Sequence, residues 1–134
     1  MYKRLKIESR IKCIRLVEKA IDEVTSELGI SQDSYGKILV STLEGVNNAI
    51  MHGNKSIPEK AVYIEFECKE RELKIIIRDE GDGFHPENVP DPTVPENREE
   101  LNGRGVFLMS HLADEIKYSR RGNQVTMIFK NILD

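Results

Sequence analysis

Between Ser9 and Leu28 the apolar residues Ile11, Ile14, Val17, Ile21, Val24 and Leu28 recur at threes and fours, the spacing of one face of an amphipathic helix. Gly29 follows where a helix end favours a left-handed residue. A second helix is expected to start at Ser31 or Asp33, both good N-caps, and to run to about His52. Its apolar stripe reads Tyr35, Ile38, Leu39, Leu43, Val46, Ala49 and Ile50, and Gly53-Asn54 stops it. The period then changes to two. Val62, Ile64, Phe66 and Cys68 alternate with Tyr63, Glu65 and Glu67, which predicts a strand with one buried face. A polar turn from Lys69 to Glu72 leads into the more fully buried strand Leu73–Arg78, completing a hairpin. Tyr2 to Ile7 reads as a short first strand, Val106 to Ala113 as a short helix, and Glu115–Arg120 with Gln124–Asn131 as a second hairpin around Arg121-Gly122-Asn123. From Asp79 to Gly105 no period survives, and so long a connection in a compact domain is usually functional, often a lid. The elements add up to an α+β fold: a two-layer sandwich with a mostly antiparallel sheet and helices on one face.

Composition narrows the setting. The chain has 134 residues, 39% of them hydrophobic and 32% charged, enough for one domain with a real core. A net charge of −3 supplies no basic field, so nucleic acid is a poor partner. No apolar run reaches membrane-spanning length and the N-terminus lacks a signal-peptide pattern, so a cytoplasmic protein without membrane contact is expected. Cys13 and Cys68 have no CxxC spacing and are read as free thiols.

Three segments depart from the local rules. On the second helix, Glu44 and Asn48 lie about 40° apart, opposite a stripe centred on Leu39 and Leu43, so a carboxylate and a carboxamide can face one small volume. The alternative is a solvated helix face. Gly45 between them costs about 1 kcal/mol relative to alanine and marks close packing. The second segment is Asp79-Glu80-Gly81-Asp82-Gly83-Phe84, directly after the buried strand. A carboxylate at a strand end can accept a hydrogen bond from a ligand amine, and glycines let backbone approach a flat ring; a simple turn has the same composition. The third is Gly103-Arg104-Gly105 before Val106, where a helix start offers free N–H groups to phosphate oxygens.

In their order and spacing these segments resemble the three boxes of the GHKL superfamily of ATP-binding domains, shared by gyrase, MutL and the histidine kinases. The likeness is greatest to the anti-sigma-factor serine/threonine protein kinases of bacterial partner-switching systems. Glu44, Asn48-Ala49-Ile50 and His52-Gly53 match the N box; Asp79, Gly81 and Gly83-Phe84 match the adenine box; Gly103, Gly105 and Phe107-Leu108-Met109 match the glycine box. The resemblance implies a Bergerat-type fold over residues 1–134, with an ATP lid at about 85–103. It implies ATP and Mg²⁺ as cofactors, Asn48 as the Mg²⁺ ligand and Glu44 as the general base that takes a serine proton. Asp79 would accept the adenine amino group, Gly81, Gly83 and Phe84 would line the base, and the backbone from Gly103 through Arg104 and Gly105 to Val106 would hold phosphates. His52 matches a family position and equally suits a helix-end cap. The implied partners are an anti-anti-sigma protein of the STAS type as substrate, a sigma factor, and a second copy in a homodimer.

Two departures stand out. Leu101 occupies the place where related kinases often carry an arginine, leaving Arg98 or Arg104 as substitutes, and Gly122-Asn123 replaces a Gly-Thr pair. A nucleotide-dependent binding switch and a histidine-kinase-like ATPase domain are therefore the alternatives to an active serine kinase.

Overall fold

A computed structural model describes residues 1–81, 109 and 111–133. The expected lid at 85–103, and the site residues Gly83, Phe84, Gly103, Arg104, Gly105 and Val106, lie outside the described residues, as does most of the expected short helix. The strands are β1 (Tyr2–Glu8), β2 (Ala61–Lys69), β3 (Glu72–Arg78), β4 (Glu115–Tyr118) and β5 (Gln124–Phe129); the helices are α1 (Ile14–Leu28) and α2 (Gln32–Asn48). The strands form one sheet in the order β1-β2-β3-β5-β4, antiparallel throughout.

The two-residue period assigns the faces. Leu5 pairs with Ile64, Ile64 with Ile77, and Ile77 with Val125, so one apolar row crosses four strands towards the helices. Phe66, Ile75 and Met127 form the next row and are fully buried. Burial of these side chains, each worth about 1.5–3 kcal/mol, is the main force holding sheet to helices. The opposite face is polar. It carries a shallow cleft of about 270 Å³ whose lining includes Arg4, Lys6, Glu65, Arg78 and Gln124, with the Tyr63 ring 4.5 Å below the Arg78 guanidinium.

Local signals place the helix junction correctly. Gly29 ends α1 at φ 66°, and Ser31 caps α2 by accepting from Ser34 N–H. Two other boundaries shift for tertiary reasons. Ser9 does not start the first helix: its hydroxyl is buried and committed to Lys60 O and Asn54, so the chain passes through a 3-10 turn at Ile11–Cys13 before α1 begins. At the far end of α2 the helix widens into a π-helical segment, Ala49–Gly53, closed by Asn54 N–H donating to Ala49 O at 2.8 Å. Such a segment inserts an extra residue and re-aims the chain beyond it, and it occurs often at functional sites. Cys13 and Cys68 are free thiols, as expected.

The buried face of α2 differs from the expected stripe. Ile38, Ser41, Thr42, Gly45 and Val46 are buried, while Leu39 and Leu43 are only half-buried. The cause is close approach at Gly45, where a Cβ would lie 2.6 Å from Ile77 Cδ1 and 3.2 Å from Met109 Sδ. Small residues bring this face of the helix onto the sheet beside Ile38 and Val46, while Leu39 and Leu43 lie at its edge. Glu44 and Asn48 consequently border the buried face instead of standing opposite it, and both are half-buried.

Candidate functional site

The site is assembled where the end of α2 meets the chain leaving β3. Glu44 and Asn48 occupy successive turns of one α2 ridge, and Ser41 continues it one turn earlier. Asn48 Nδ2 and Ser41 Oγ are buried and have no hydrogen-bond partner among the described residues, as does Thr42 Oγ1 on the core side. A buried polar atom without a partner is uncommon, because leaving it so costs about 1–3 kcal/mol. On Asn48, which borders solvent, it marks a group whose partner is not part of the described chain. A carboxamide oxygen there is the hard, neutral donor that suits a cation keeping most of its shell as water and phosphate. Among the described residues no group of three or more His, Cys, Asp or Glu could cage a metal, so any ion here would depend on such shared ligation. His52 is exposed on the π-helical segment.

The second half of the site is held tightly. Asp79 is 7% exposed, and its Oδ1 accepts from Gly81 N–H at 2.7 Å, the short-range pattern by which aspartate fixes a turn. Burial raises its carboxyl above the ordinary aspartate value, with the Gly81 N–H, Lys60 and Arg121 working the other way. The backbone is clamped from two sides. Asp79 N–H donates to Asn123 O at 2.9 Å, and Asn123 Nδ2 donates back to Asp79 O at 3.3 Å. Glu80 N–H donates to Asn54 Oδ1 at 2.8 Å, and Glu80 Oε2 accepts from Ala61 N–H. Arg121 Nη2 donates to Gly81 O at 3.4 Å, tying the turn between β4 and β5 to the same corner.

Two glycines let the halves interlock. A Cβ on Gly53 would overlap the Asp79 carboxylate, and a Cβ on Gly81 would overlap the Gly53 carbonyl, 2.6 Å from its carbon. Thus Gly53, at the end of the segment carrying Asn48, is in contact with Asp79 and Gly81. Two segments singled out separately in the sequence, at 44–53 and 79–81, form one continuous structure. Asn54 and Glu80 complete it without having been anticipated as site residues, Ser9 Oγ supports Asn54, and Asn123 had been marked only as the departure from a Gly-Thr pair. A further sequence cue was that a polar residue follows each of the glycines at 53 and 122.

Residues 7–129 match the family described as Histidine kinase-like ATPase domain. The serine-protein kinase RsbW of Oceanobacillus iheyensis is 24% identical over 139 residues, covering 99% of this chain and 88% of its own. The anti-sigma F factor of Shouchella clausii is 34% identical over 94 residues, 69% of this chain and 64% of that protein. The RsbW of Bacillus subtilis is 27% identical over 124 residues, covering 87% and 76%. Among solved structures, a Mycobacterium tuberculosis chain containing RsbU and RsbW domains superposes with a TM-score of 0.69 at 15% identity, covering 99% of this chain. The present chain spans 32% of that one, and the likeness establishes a common fold. No helix among the described residues is long and apolar enough to cross a membrane.

Proposed function

This chain belongs to the histidine kinase-like ATPase domain family, and on that premise we propose that it is an ATP-dependent serine protein kinase and anti-sigma regulator. Its substrate would be a serine hydroxyl on a small anti-anti-sigma protein of the STAS type, and in the same cycle it would hold a sigma factor. The observation that supports this most is the junction of Gly53, Asp79 and Gly81, which joins a base-recognition corner to the helix carrying Glu44 and Asn48.

In this reading Asp79 accepts the adenine amino group, while Gly81, Gly83 and Phe84 give the base its room. Asn48 would be a ligand of Mg²⁺, which when bound offsets phosphate charge. Its Oδ1 would be the ligand atom, while the buried Nδ2, without a partner among the described residues, is left to donate to a phosphate oxygen. The backbone from Gly103 through Val106, with Arg104, would hold the β- and γ-phosphates, and His52 would lie at the edge of the nucleotide site. Glu44 takes the proton of the serine hydroxyl as its oxygen bonds to the γ-phosphorus; the bond from that phosphorus to the bridging oxygen breaks and ADP leaves. Closure of the segment at about 85–103 would exclude water, favouring transfer over hydrolysis. The proposal extends to one domain over residues 1–134, acting in the cytoplasm as a homodimer without direct contact with nucleic acid or membrane.

A binding switch with little catalysis is the second reading, and Leu101 favours it because an apolar side chain cannot offset γ-phosphate charge. One experiment separates the two. With labelled ATP and the STAS-type proteins encoded beside it, the native protein should label a serine, and Glu44→Gln should bind ATP while transferring about 100- to 10,000-fold more slowly. ATP binding without label on any such protein selects the switch.

A further inference from the structure

We propose that Asn54 is the positioning residue of the base-recognition corner and that it sets the preference for an adenine over a guanine nucleotide. This rests on the reading of Asp79 as acceptor of the adenine amine.

Asn54 is completely buried, with both amide N–H groups and the carbonyl oxygen hydrogen-bonded. Nδ2 donates to Ser9 Oγ at 2.8 Å and to Ala61 O at 3.0 Å, while Oδ1 accepts from Glu80 N–H at 2.8 Å. The partners fix the orientation of the amide, since a carbonyl must face the nitrogen and an N–H must face the oxygen. One side chain therefore ties together the ends of β1 and α2, the start of β2, and the residue after Asp79. The main chain is shaped to deliver it. Asn54 N–H closes the π-helical segment on Ala49 O, and the next two residues, Lys55 and Ser56, both take left-handed conformations, at φ 53° and 57°. Two successive non-glycine residues in that region are costly and persist only where surrounding contacts over-determine them.

The chemistry of discrimination explains why this anchor matters. Adenine offers an amino donor where guanine offers a carbonyl oxygen. A carboxylate held at that point accepts from the first and is repelled by the second. A carboxylate free to move by about 1 Å can instead reach the ring N–H and amino group of guanine, so selectivity depends on immobility as well as charge. Asn123 holds Asp79 from the β5 side. Asn54 holds the main chain of the following residue from the helix side, and removing it leaves Glu80 held there only through its side chain to Ala61 N–H, so the turn can pivot about Asn123.

The test is to titrate ATP and GTP, each with Mg²⁺, into the native protein and into Asn54→Ala, Asp79→Ala and the core control Ile21→Val on α1, with thermal unfolding of each. Asn54→Ala loses three buried hydrogen bonds and Ile21→Val a buried methyl group, so both should melt earlier. Only Asn54→Ala should weaken ATP, by about tenfold, and bring the ATP-to-GTP affinity ratio towards one. Should Asn54→Ala fail to fold, Asn54→Ser is uncharged, is too short to span Ala61 O and Glu80 N–H together, and should lower the ratio in the same direction. An unchanged ratio in whichever of Asn54→Ala and Asn54→Ser folds, or an equal loss of ratio in Ile21→Val, overturns the assignment. Asp79→Ala distinguishes the layers: if it leaves ATP affinity unchanged, the base-site reading fails as well, whereas loss of ATP binding in Asp79→Ala beside an unchanged Asn54→Ala ratio overturns the role of Asn54 alone.

Discussion

The Asp79 corner and the polar ridge of α2 sit on either side of Gly53 and are built on opposite terms. In the corner, the N–H groups of Asp79, Glu80 and Gly81 and the carbonyls of Asp79 and Gly81 all have partners from within the chain. On the ridge, Asn48 is half-buried and its Nδ2 has no partner among the described residues. A corner finished by the protein can recognise a rigid shape, because its donors and acceptors do not reorganise when the ligand arrives. A ridge left unfinished gains its partners from what binds, which suits phosphates that change charge and position during a reaction. The contrast explains why glycines cluster at the junction: only backbone is thin enough to join the two without filling the site.

The most severe way to break the comparison is to remove that thinness. Gly81→Ala places a methyl group inside the Gly53 carbonyl, and neither neighbour is a flexible side chain that can give way. The expected result is a loss of about 3 kcal/mol or more in folding free energy, with no measurable ATP binding in the folded remainder. A variant that melts like the native protein would mean the junction is looser than described. Next in size is Asp79→Ala, which leaves the fold but takes away the acceptor; ATP affinity should fall roughly 100-fold, the scale of one lost charged hydrogen bond.

Asn48→Ala sharpens the contrast from the other side. Because its amide nitrogen is already without a partner, deleting it should leave the Tm of the free protein unchanged or slightly raised. The stabilisation by Mg·ATP should shrink by about 1–2 kcal/mol, while that by ATP without Mg²⁺ stays as it was. A fall in the Tm of the free protein would show that the ridge is completed by the chain itself.

How much of this could be read in the sequence divides along the same line. The alternation of β2, the Gly29 cap and the Ser31 cap are local devices, and each was visible in a few consecutive residues. Glu44, Asn48, Asp79 and Gly81 were legible as candidates because they break local rules. Ile38, Val46, Ala49 and Ile50 of the expected α2 stripe are buried, but its centre was misplaced because Gly45, Ser41 and Thr42 are buried through close approach to the sheet, and counting apolar residues does not register small polar ones. Ser9 looked like a helix start because its tertiary partners, Lys60 and Asn54, are about fifty residues away in sequence. Asn54 was legible only as the end of a helix, since nothing local reveals that its amide reaches three separate segments.

The smallest expected effect concerns stability and charge. Burial raises the Asp79 carboxyl above its ordinary value of 3.8, so between that value and the native one the folded state holds more protons than the unfolded state. Folding stability contributed by this group therefore falls as pH rises through that window, and the deficit persists at neutral pH. Asp79→Asn removes the charge and keeps an oxygen for Gly81 N–H. It should melt about 2–4 °C higher than the native protein at neutral pH while losing ATP affinity. The advantage should fade as pH falls through the raised native value towards 3.8. A lower Tm for Asp79→Asn at neutral pH would mean that Lys60, Arg121 and the Gly81 N–H outweigh desolvation, making the corner a charge-stabilised site. A higher Tm with ATP lost would place its cost on the free protein, to be offset when a donor binds.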